Sequence, residues 1–294
     1  MISLCAVYLI ASFLTASHAA GFSRRYTEKL EFDNKKSSNE LVGRYEARSL
    51  SECAMMCQKD CDLFGYNSKL KKCRTHKKIF TSGMSNETGW RYYFPEFLPL
   101  DCKDLRENSY INSGVYDIYP YGTKSLPVGV YCDMETMDGG WTVIQKRLDG
   151  SVSFNRTWTD YKNGFGAKEK NVWIGNDVIH QLTRGENSYL YVSVTLQNDT
   201  KLYELYDRFS VSNESENYQL FLAGNATGTL GDAMLSTGSS NNDLSGMYFT
   251  TPDKDNDRAL GANCAVTWGG GWWFNYCHLA FLNGPWYPKS WQYP

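Results

Sequence analysis

Residues 247–278 read MYFTTPDKDNDRALGANCAVTWGGGWWFNYCH, and this stretch decides both the fold and the candidate site. Its acidic turn, residues 253–257 (DKDND), places carboxylates at alternate positions. Such carboxylates can converge on a hard cation, and a donor set made only of oxygen favours Ca2+. An EF-hand is excluded, because Arg258 and Cys264 stand where its loop requires glycine and glutamate. From the residues alone, a solvent-exposed acidic turn is the simpler interpretation.

The composition of the whole chain indicates a globular protein of two domains. The 294 residues are 42% hydrophobic and 21% charged, which excludes a disordered or fibrous chain and allows a sizeable core. An aromatic share of 15% favours a β-rich or mixed fold. The net charge of −2 excludes overall electrostatic capture of nucleic acid. Residues 21–97 carry a net charge of +5 and residues 98–294 one of −7, which suggests two domains.

The N-terminal segment predicts export. Residues 4–14 form an apolar run of eleven residues, fewer than the ~20 that span a bilayer. Small residues at 16–17 and 19–20 follow and suit signal peptidase. We therefore predict a signal peptide over residues 1–20 and a secreted, extracellular mature protein without a membrane span. A retained N-terminal anchor is the alternative.

Cysteines and sequons agree with secretion. Eight cysteines follow residue 20, and an even number in an oxidising compartment indicates four disulfides rather than a zinc site. They are Cys53, Cys57, Cys61, Cys73, Cys102, Cys132, Cys264 and Cys277. Five sequons indicate N-glycosylation, at Asn86, Asn155, Asn198, Asn213 and Asn225.

The first domain, residues 21–97, is predicted to be small and stapled by disulfides. Ser49 and Glu52 form a capping box that predicts a helix, which brings Cys53 and Cys57 to one face. A domain with so small a core needs such bridges. Its basic run contains Lys69, Lys71, Lys72, Arg74, Lys77 and Lys78. This run could bind sulfated glycans or acidic surfaces, although a solvated hairpin is the simpler explanation.

These residues resemble a PAN/apple domain. The resemblance rests on SECAMMC at residues 51–57, Cys61 with Phe64 and Tyr66, Cys73, and Gly89-Trp90. It implies the disulfides Cys53–Cys73 and Cys57–Cys61, and a role in binding proteins or carbohydrate.

Patterns in the second domain, residues 98–294, predict strands, one short helix and a long loop. Trp141, Val143 and Gln145 alternate with their neighbours as a strand at a sheet face would. Asn176 is expected to cap a helix over residues 176–182. Further strands are predicted over 189–196, 202–211 and 218–222, and a polar loop over 223–246.

The second domain resembles the fibrinogen-related domain of ficolin-like and tachylectin-like proteins, over residues 101–286. The motifs that support this are NVWIGN at 171–176, MYFTT at 247–251, DKDND at 253–257, NCA at 263–265, GWW at 271–273, CH at 277–278 and LNG at 282–284. The resemblance implies an α+β fold with a central, mainly antiparallel sheet, long loops and a binding region built from those loops. It also implies the disulfides Cys102–Cys132 and Cys264–Cys277.

The resemblance further implies a calcium site. Asp255 and Asp257 would supply side-chain oxygens, and backbone carbonyls such as those of Ala259 and Gly261 would complete the shell. The loop up to Cys264 is one residue longer than in ficolin-like members, which leaves the choice of carbonyls open.

It implies a pocket for N-acetyl groups as well. A cis bond between Tyr276 and Cys277 would aim backbone amides at the acetyl oxygen, and His278 would hydrogen-bond the ligand. Trp272 and Trp273 are expected in the core. Only seventeen residues follow Cys277, fewer than the resemblance implies, so we expect either a shortened chain or an altered pocket. Trp286, Tyr287, Trp291 and Tyr293 could replace the aromatic walls that the longer segment supplies.

Two functions are consistent with this sequence. The preferred one is a secreted, calcium-dependent lectin of innate defence that binds N-acetylated glycans. The alternative is a protein-binding or adhesion module in which calcium is structural and no sugar is bound. We expect no enzyme, since the sequence has no nucleophile elbow, zinc-protease motif or phosphate loop. Any homo-oligomer would form through the apple-like domain or the lectin-like surface, because heptads and collagen-like repeats are absent.

Overall fold

The computed structural model describes residues 4–13, 26–37, 40–57, 61–77, 84–95, 97–122, 125–185, 188–196, 198–235 and 243–286. It gives the backbone alone for residues 4–13 and for Pro95. The predicted cleavage region and Tyr287, Trp291 and Tyr293 lie outside the described residues. The chain divides into two units, Ala20–Leu98 and a larger unit of Met1–Ala19 with Pro99–Pro294.

The elements follow in chain order. The strands are β1 (Leu4–Phe13), β2 (Tyr26–Glu28), β3 (Lys35–Lys36), β4 (Leu41–Glu46), β5 (Leu63–Asn67), β6 (Lys72–His76), β7 (Ser85–Asn86), β8 (Trp90–Pro95), β9 (Gly114–Ile118), β10 (Val128–Asp133), β11 (Trp141–Arg147), β12 (Phe165–Gly166), β13 (Val172–Trp173), β14 (Ser188–Leu196), β15 (Lys201–Val211) and β16 (Leu220–Gly228). The helices are α1 (Leu50–Met56), α2 (Cys102–Glu107), α3 (Trp158–Asn163), α4 (Asn176–Thr183) and α5 (Cys264–Trp268), with short 3-10 turns at Leu30–Phe32, Thr136–Asp138 and Glu214–Glu216.

The small unit is a five-stranded antiparallel sheet in the order β2-β8-β5-β6-β4, with α1 against one face. The Ser49 hydroxyl accepts a hydrogen bond from the Glu52 amide (3.1 Å), which confirms the predicted cap. The Glu52 carboxylate, however, accepts from the amide of Arg48 (2.7 Å) rather than from that of Ser49. The predicted disulfides are present: Cys53–Cys73 joins α1 to β6, and Cys57–Cys61 closes the turn after α1.

The large unit is built on a nine-stranded antiparallel sheet, in agreement with the predicted architecture. Its main order is β12-β13-β11-β1-β14-β15-β16, and β10 and β9 join beside β11. All seven residues of β11 are buried. Ile144 packs into the main core on one face, while Trp141 and Val143 pack with tyrosines on the other. The alternation therefore sorts Trp141, Val143 and Ile144 as predicted, but it fails at Gln145, because the register shifts between Val143 and Gln145. Gln145 contacts Leu282, as Arg147 does, and both faces of the strand are covered.

Two local predictions in the large unit are wrong. Asn176 does not cap α4 with its side chain, because it is buried and its Oδ1 accepts a hydrogen bond from the Trp173 indole (3.0 Å). Gly175, with a φ of +109°, precedes the helix instead. The polar loop begins later than predicted, since residues 223–228 extend β16 and pair with β15 beyond an irregularity in the ladder.

The apolar segment at the N-terminus is a strand of the large sheet. Strand β1 lies between β11 and β14 and pairs antiparallel with both, so that Tyr8 stands opposite Lys146 and Ser193. The interpretation of this segment as a leader removed on export remains a prediction. Among the described residues, no helix is both long and apolar enough to cross a membrane.

Removal of β1 tests its role in the sheet. A protein that begins at Gly21 would leave the facing edges of β11 and β14 without a partner strand, and such edges favour self-association. We expect its free energy of unfolding to fall by several times the ~0.5–1.5 kcal/mol of one net hydrogen bond. Urea unfolding and size-exclusion chromatography, set beside the full-length protein, measure both effects. Equal midpoints and a monomeric truncated protein would show that β1 is dispensable.

Candidate functional site

The acidic turn is fixed to the core by its first aspartate. Asp253 accepts hydrogen bonds from the amide of Trp158, at the start of α3, and from the hydroxyl of Thr251, both at 2.8 Å. Asn256 donates from its side chain to the carbonyl of Phe249 (2.7 Å). These contacts leave Asp255 and Asp257 on the outer part of the turn, where a cation could reach them.

Asp257 closes the loop that follows the turn. One carboxylate oxygen accepts from the amide of Ala259 and the other from that of Cys264, both at 2.8 Å. Asp255 accepts from the amide of Asp257 (3.2 Å). Burial raises the pKa of the Asp257 carboxyl, and the neighbouring carboxylate of Asp255 raises it further. A divalent cation bound by both carboxylates would offset the repulsion between them.

The residues present fit calcium. The donors at the loop are the two carboxylates and backbone carbonyls between Ala259 and Ala262, hence oxygen alone. Gly261 adopts a φ of +78°, a conformation that turns the chain and that residues with a Cβ rarely adopt. The described residues contain no group of three or more His, Cys, Asp or Glu that could hold a metal ion. A cation here would therefore need the carbonyls to complete its shell.

The turn around Cys277 reverses the chain without a cis bond. The described residues contain no cis peptide bond, so the expected cis bond between Tyr276 and Cys277 is wrong. Cys277 adopts a φ of +52° instead, and the amide of Asn275 donates to the Cys277 carbonyl (3.0 Å). A left-handed residue costs about 1–3 kcal/mol and a non-proline cis bond about 3–4 kcal/mol, so the observed turn is the less strained solution.

Three connections join the acidic turn to this second turn. Asp257 holds the amide of Cys264, and Cys264 is bonded covalently to Cys277, as predicted. The amide of Arg258 donates to the carbonyl of Asn275 (3.2 Å). Through these links, a change of conformation at the carboxylates can displace Cys277, the residue before His278.

His278 lies among aromatic rings. Its ring centroid is 4.9 Å from that of Trp268, 5.0 Å from that of Phe281 and 5.8 Å from that of Phe274. Its Nε2 is buried and has no hydrogen-bond partner among the described residues. Burial lowers the pKa of His278, so the imidazole is neutral at physiological pH. A neutral ring nitrogen beside aromatic surfaces can hydrogen-bond a small uncharged ligand.

The structure does not bring every expected residue into the pocket. Tyr276 is 65% exposed and lies at the rim rather than in the aromatic cluster. Trp272 and Trp273 are buried in the core, as predicted.

The Cys102–Cys132 bridge is present at the start of the unit. All five sequon asparagines are exposed and thus accessible to glycosylation.

Sequence reasoning missed Gln145 and Arg147, two buried polar residues of β11. The Arg147 guanidinium donates to the carbonyls of Leu282 and Gly284 and lies over the rings of Phe154 and Trp286. Gln145 donates to the Leu282 carbonyl (2.9 Å). Burial lowers the pKa of Arg147 to about 10. The signal that could have found them is the run Gln145-Lys146-Arg147, three polar residues that directly follow the apolar part of the strand.

These two residues hold the segment that supplies Phe281. Asn283 accepts from Gln145 (3.1 Å) and donates to the carbonyl of Gly271 (2.9 Å), which ties the same segment to the core. Phe281 precedes the held carbonyls and packs on His278 and Phe274. Strand β11 therefore positions one ring of the aromatic cluster around His278.

Comparison with known proteins gives a consistent result. A family model described as "Fibrinogen beta and gamma chains, C-terminal globular domain" matches residues 98–293. The protein is similar to human fibroleukin, 46% identical over 192 residues, which cover 65% of this chain and 43% of fibroleukin. It therefore spans less than half the length of that relative.

Solved structures are similar as well. The fibrinogen-like globe domain of human ANGPTL2 is 38% identical with a TM-score of 0.61, over 67% of this chain and 86% of that one. The lamprey fibrin D-dimer, solved with the peptide ligand Gly-His-Arg-Pro-amide, is 35% identical with a TM-score of 0.61, over 67% and 63% respectively.

Replacement of Arg147 by lysine tests its positioning role. Lysine keeps the charge but lacks the planar fork that contacts two carbonyls, so the 282–284 segment should loosen and expose His278. We expect the pKa of His278, measured by NMR titration, to rise toward its ordinary value. Arg208→Lys, at an exposed position on β15, is the matched control and should leave this pKa unchanged. An unaltered His278 pKa in Arg147→Lys would contradict the assignment.

The lowered pKa of His278 also predicts a pH dependence of stability. As the pH falls through the ordinary histidine value of 6.5, the unfolded protein binds a proton before the folded protein does. The free energy of unfolding should therefore decrease below pH 6.5, until the folded-state pKa is reached. The His278→Gln variant should lack this component, which urea unfolding at pH 5, 6 and 7 would measure. Parallel pH profiles for the two proteins would refute it.

Proposed function

The protein belongs to the family defined by the C-terminal globular domain of fibrinogen beta and gamma, a family of non-enzymatic recognition modules, and from that premise we propose a calcium-dependent lectin function. The protein would be secreted and would bind N-acetylated glycans, in innate defence. The observation that supports this best is the direct connection of the Asp255–Asp257 turn to the turn that presents His278. The four disulfides are consistent with an extracellular location.

Calcium would act by fixing the loop. Asp255 and Asp257, with carbonyls such as those of Ala259 and Gly261, would hold the ion and relieve the repulsion between the two carboxylates. The amide of Cys264 is already bonded to Asp257, so an ordered loop would keep the disulfide and the turn at Cys277 in one arrangement. The ion is thus expected to organise the ligand turn and not to touch the sugar.

The aromatic cluster suits an acetyl group. The rings of Trp268, Phe274 and Phe281 around His278 offer an apolar surface for a methyl group. The unpartnered Nε2 of His278 offers a hydrogen bond to the acetamide, and a buried polar atom without a partner costs about 1–3 kcal/mol that a ligand could recover. Tyr276 at the rim could contact the sugar ring.

Protein recognition is the second candidate. The lamprey fibrin D-dimer, to which this protein is similar, was solved with a peptide ligand. Leu260, Tyr276 and Leu279, around the candidate site, are 95%, 65% and 57% exposed and could meet an apolar partner surface. In that case calcium would only stiffen the loop.

The small unit would add a second recognition element. Its stapled helix and sheet agree with the apple-like interpretation, which we retain as a proposal together with the binding of proteins or carbohydrate. Clustering of copies through either unit would raise the avidity of weak single sites.

Retention of the full-length protein, residues 1–294, on N-acetylglucosamine resin tests the proposed function. We expect retention with calcium, release by chelator and elution by free acetylated sugar. Asp255→Ala should lower both calcium affinity and retention more than tenfold, since a ligand oxygen is lost. His278→Ala should lose retention but keep calcium affinity. Asp117→Asn, at an exposed position on β9, is the control for lost charge.

The outcomes separate the two candidates. Calcium binding by a folded protein that the resin does not retain would favour protein recognition. Retention that persists in chelator, or that survives His278→Ala, would refute the proposed mechanism.

A further inference from the structure

The small unit contains two arginines at directly opposite positions on neighbouring strands. Arg44 on β4 stands directly opposite Arg74 on β6. In an antiparallel pair, side chains directly opposite begin only ~4.5–5.5 Å apart at Cβ, and like charges in that arrangement are destabilising. The sequence of this unit also carries the excess of positive charge in the protein. A costly arrangement of this kind needs a physical reason.

Arg74 is held in one orientation before any ligand binds. Its Nη1 donates to the carbonyl of Ser37 (2.6 Å), and the guanidinium lies 5.1 Å from the ring centroid of Trp90. Ser37 is fixed in turn, because its amide donates to the hydroxyl of Tyr92 (2.8 Å). Arg74 is half-buried, and this burial lowers its pKa, with a smaller contribution from the charge of Arg44. The remaining N–H groups of the fork are therefore preorganised.

The nearby carboxylates have other partners. Glu87 accepts from Lys36 (2.6 Å) and from the indole of Trp90 (2.9 Å). Glu46 stands opposite Lys72, which lies two residues before Arg74 and so on the same face of β6. Within the part of the protein that the structure describes, neither Arg44 nor Arg74 forms an ion pair with a carboxylate. The local field at the two guanidinium groups is thus positive.

We propose that Arg44 and Arg74 form a binding site for the sulfate groups of an extracellular sulfated glycan. A sulfate ester presents three free oxygens on one compact group, so it can accept hydrogen bonds from both guanidinium forks. A single carboxylate has two oxygens, and one fork is enough to satisfy them. Lys72 lies along the strand from the pair and would contact the next anionic group of the same glycan. Bound sulfate would also remove the repulsion between the two arginines.

The experiment uses the full-length protein, residues 1–294, and a sulfated heparin octasaccharide, with the same oligosaccharide after complete desulfation as the comparison. Arg44→Ser removes one fork, and Arg74→Lys keeps the charge but removes bidentate geometry. Arg91→Ser is the matched control, because Arg91 lies on the other face of the sheet and pairs with Glu28 (3.5 Å). Affinities are measured by calorimetry at two salt concentrations, and thermal unfolding confirms that each variant is folded.

We expect Arg44→Ser and Arg74→Lys each to weaken binding of the sulfated probe about tenfold, the effect of one charge-assisted contact. Arg91→Ser should remain within about twofold, and Arg44→Ser should reduce the salt dependence of the affinity. Equal binding of the desulfated probe, equal loss in Arg91→Ser, or tighter binding of a phosphoserine peptide than of the octasaccharide would overturn the proposal. So would the absence of binding by the folded wild-type protein.

Discussion

The carboxylate of Asp257 is the interaction on which the geometry of the candidate site depends. Its two oxygens accept the amides of Ala259 and Cys264, and each hydrogen bond to a charged group contributes about 1.5–3 kcal/mol. The Cys264–Cys277 disulfide joins cysteines thirteen positions apart, a constraint of about 3 kcal/mol in the chain-entropy description. These contributions are comparable, so neither the ionic contact nor the covalent bond alone determines the turn that bears His278. A cation at the carboxylates would act on a loop that the bridge already restricts.

The aromatic cluster around His278 depends equally on a strand far from it in sequence. Strand β11 is buried on both faces, yet it ends in polar side chains. Burial of a guanidinium without a carboxylate is costly, and Arg147 meets that cost with two carbonyls and two aromatic rings. Those carbonyls belong to the segment that carries Phe281. The stability of the sheet and the shape of the pocket are therefore coupled through one residue.

Much of this arrangement could be predicted from the sequence, because the decisive residues are close together along it. The acidic turn, the two cysteines and His278 lie within a few dozen residues, and the family resemblance implied all four disulfide pairs that the structure contains. The details that failed depend on tertiary contacts. The Trp173 indole takes the side chain of Asn176 away from capping, and a left-handed Cys277 replaces the expected cis bond. The role of Arg147 requires two segments more than a hundred residues apart, which no local pattern reports.

The two units use their disulfides for different physical purposes. In the small unit, both bridges join or follow α1 beside a short sheet with a core of few residues, so they supply stability that burial alone could not. In the large unit, the aromatic core is extensive, and the Cys264–Cys277 bridge joins α5 to the turn before His278. Reduction of that bridge would leave most of the core intact while it freed Cys277 from α5. Its loss would therefore loosen the turn before His278, while Cys264 stayed fully buried in that core.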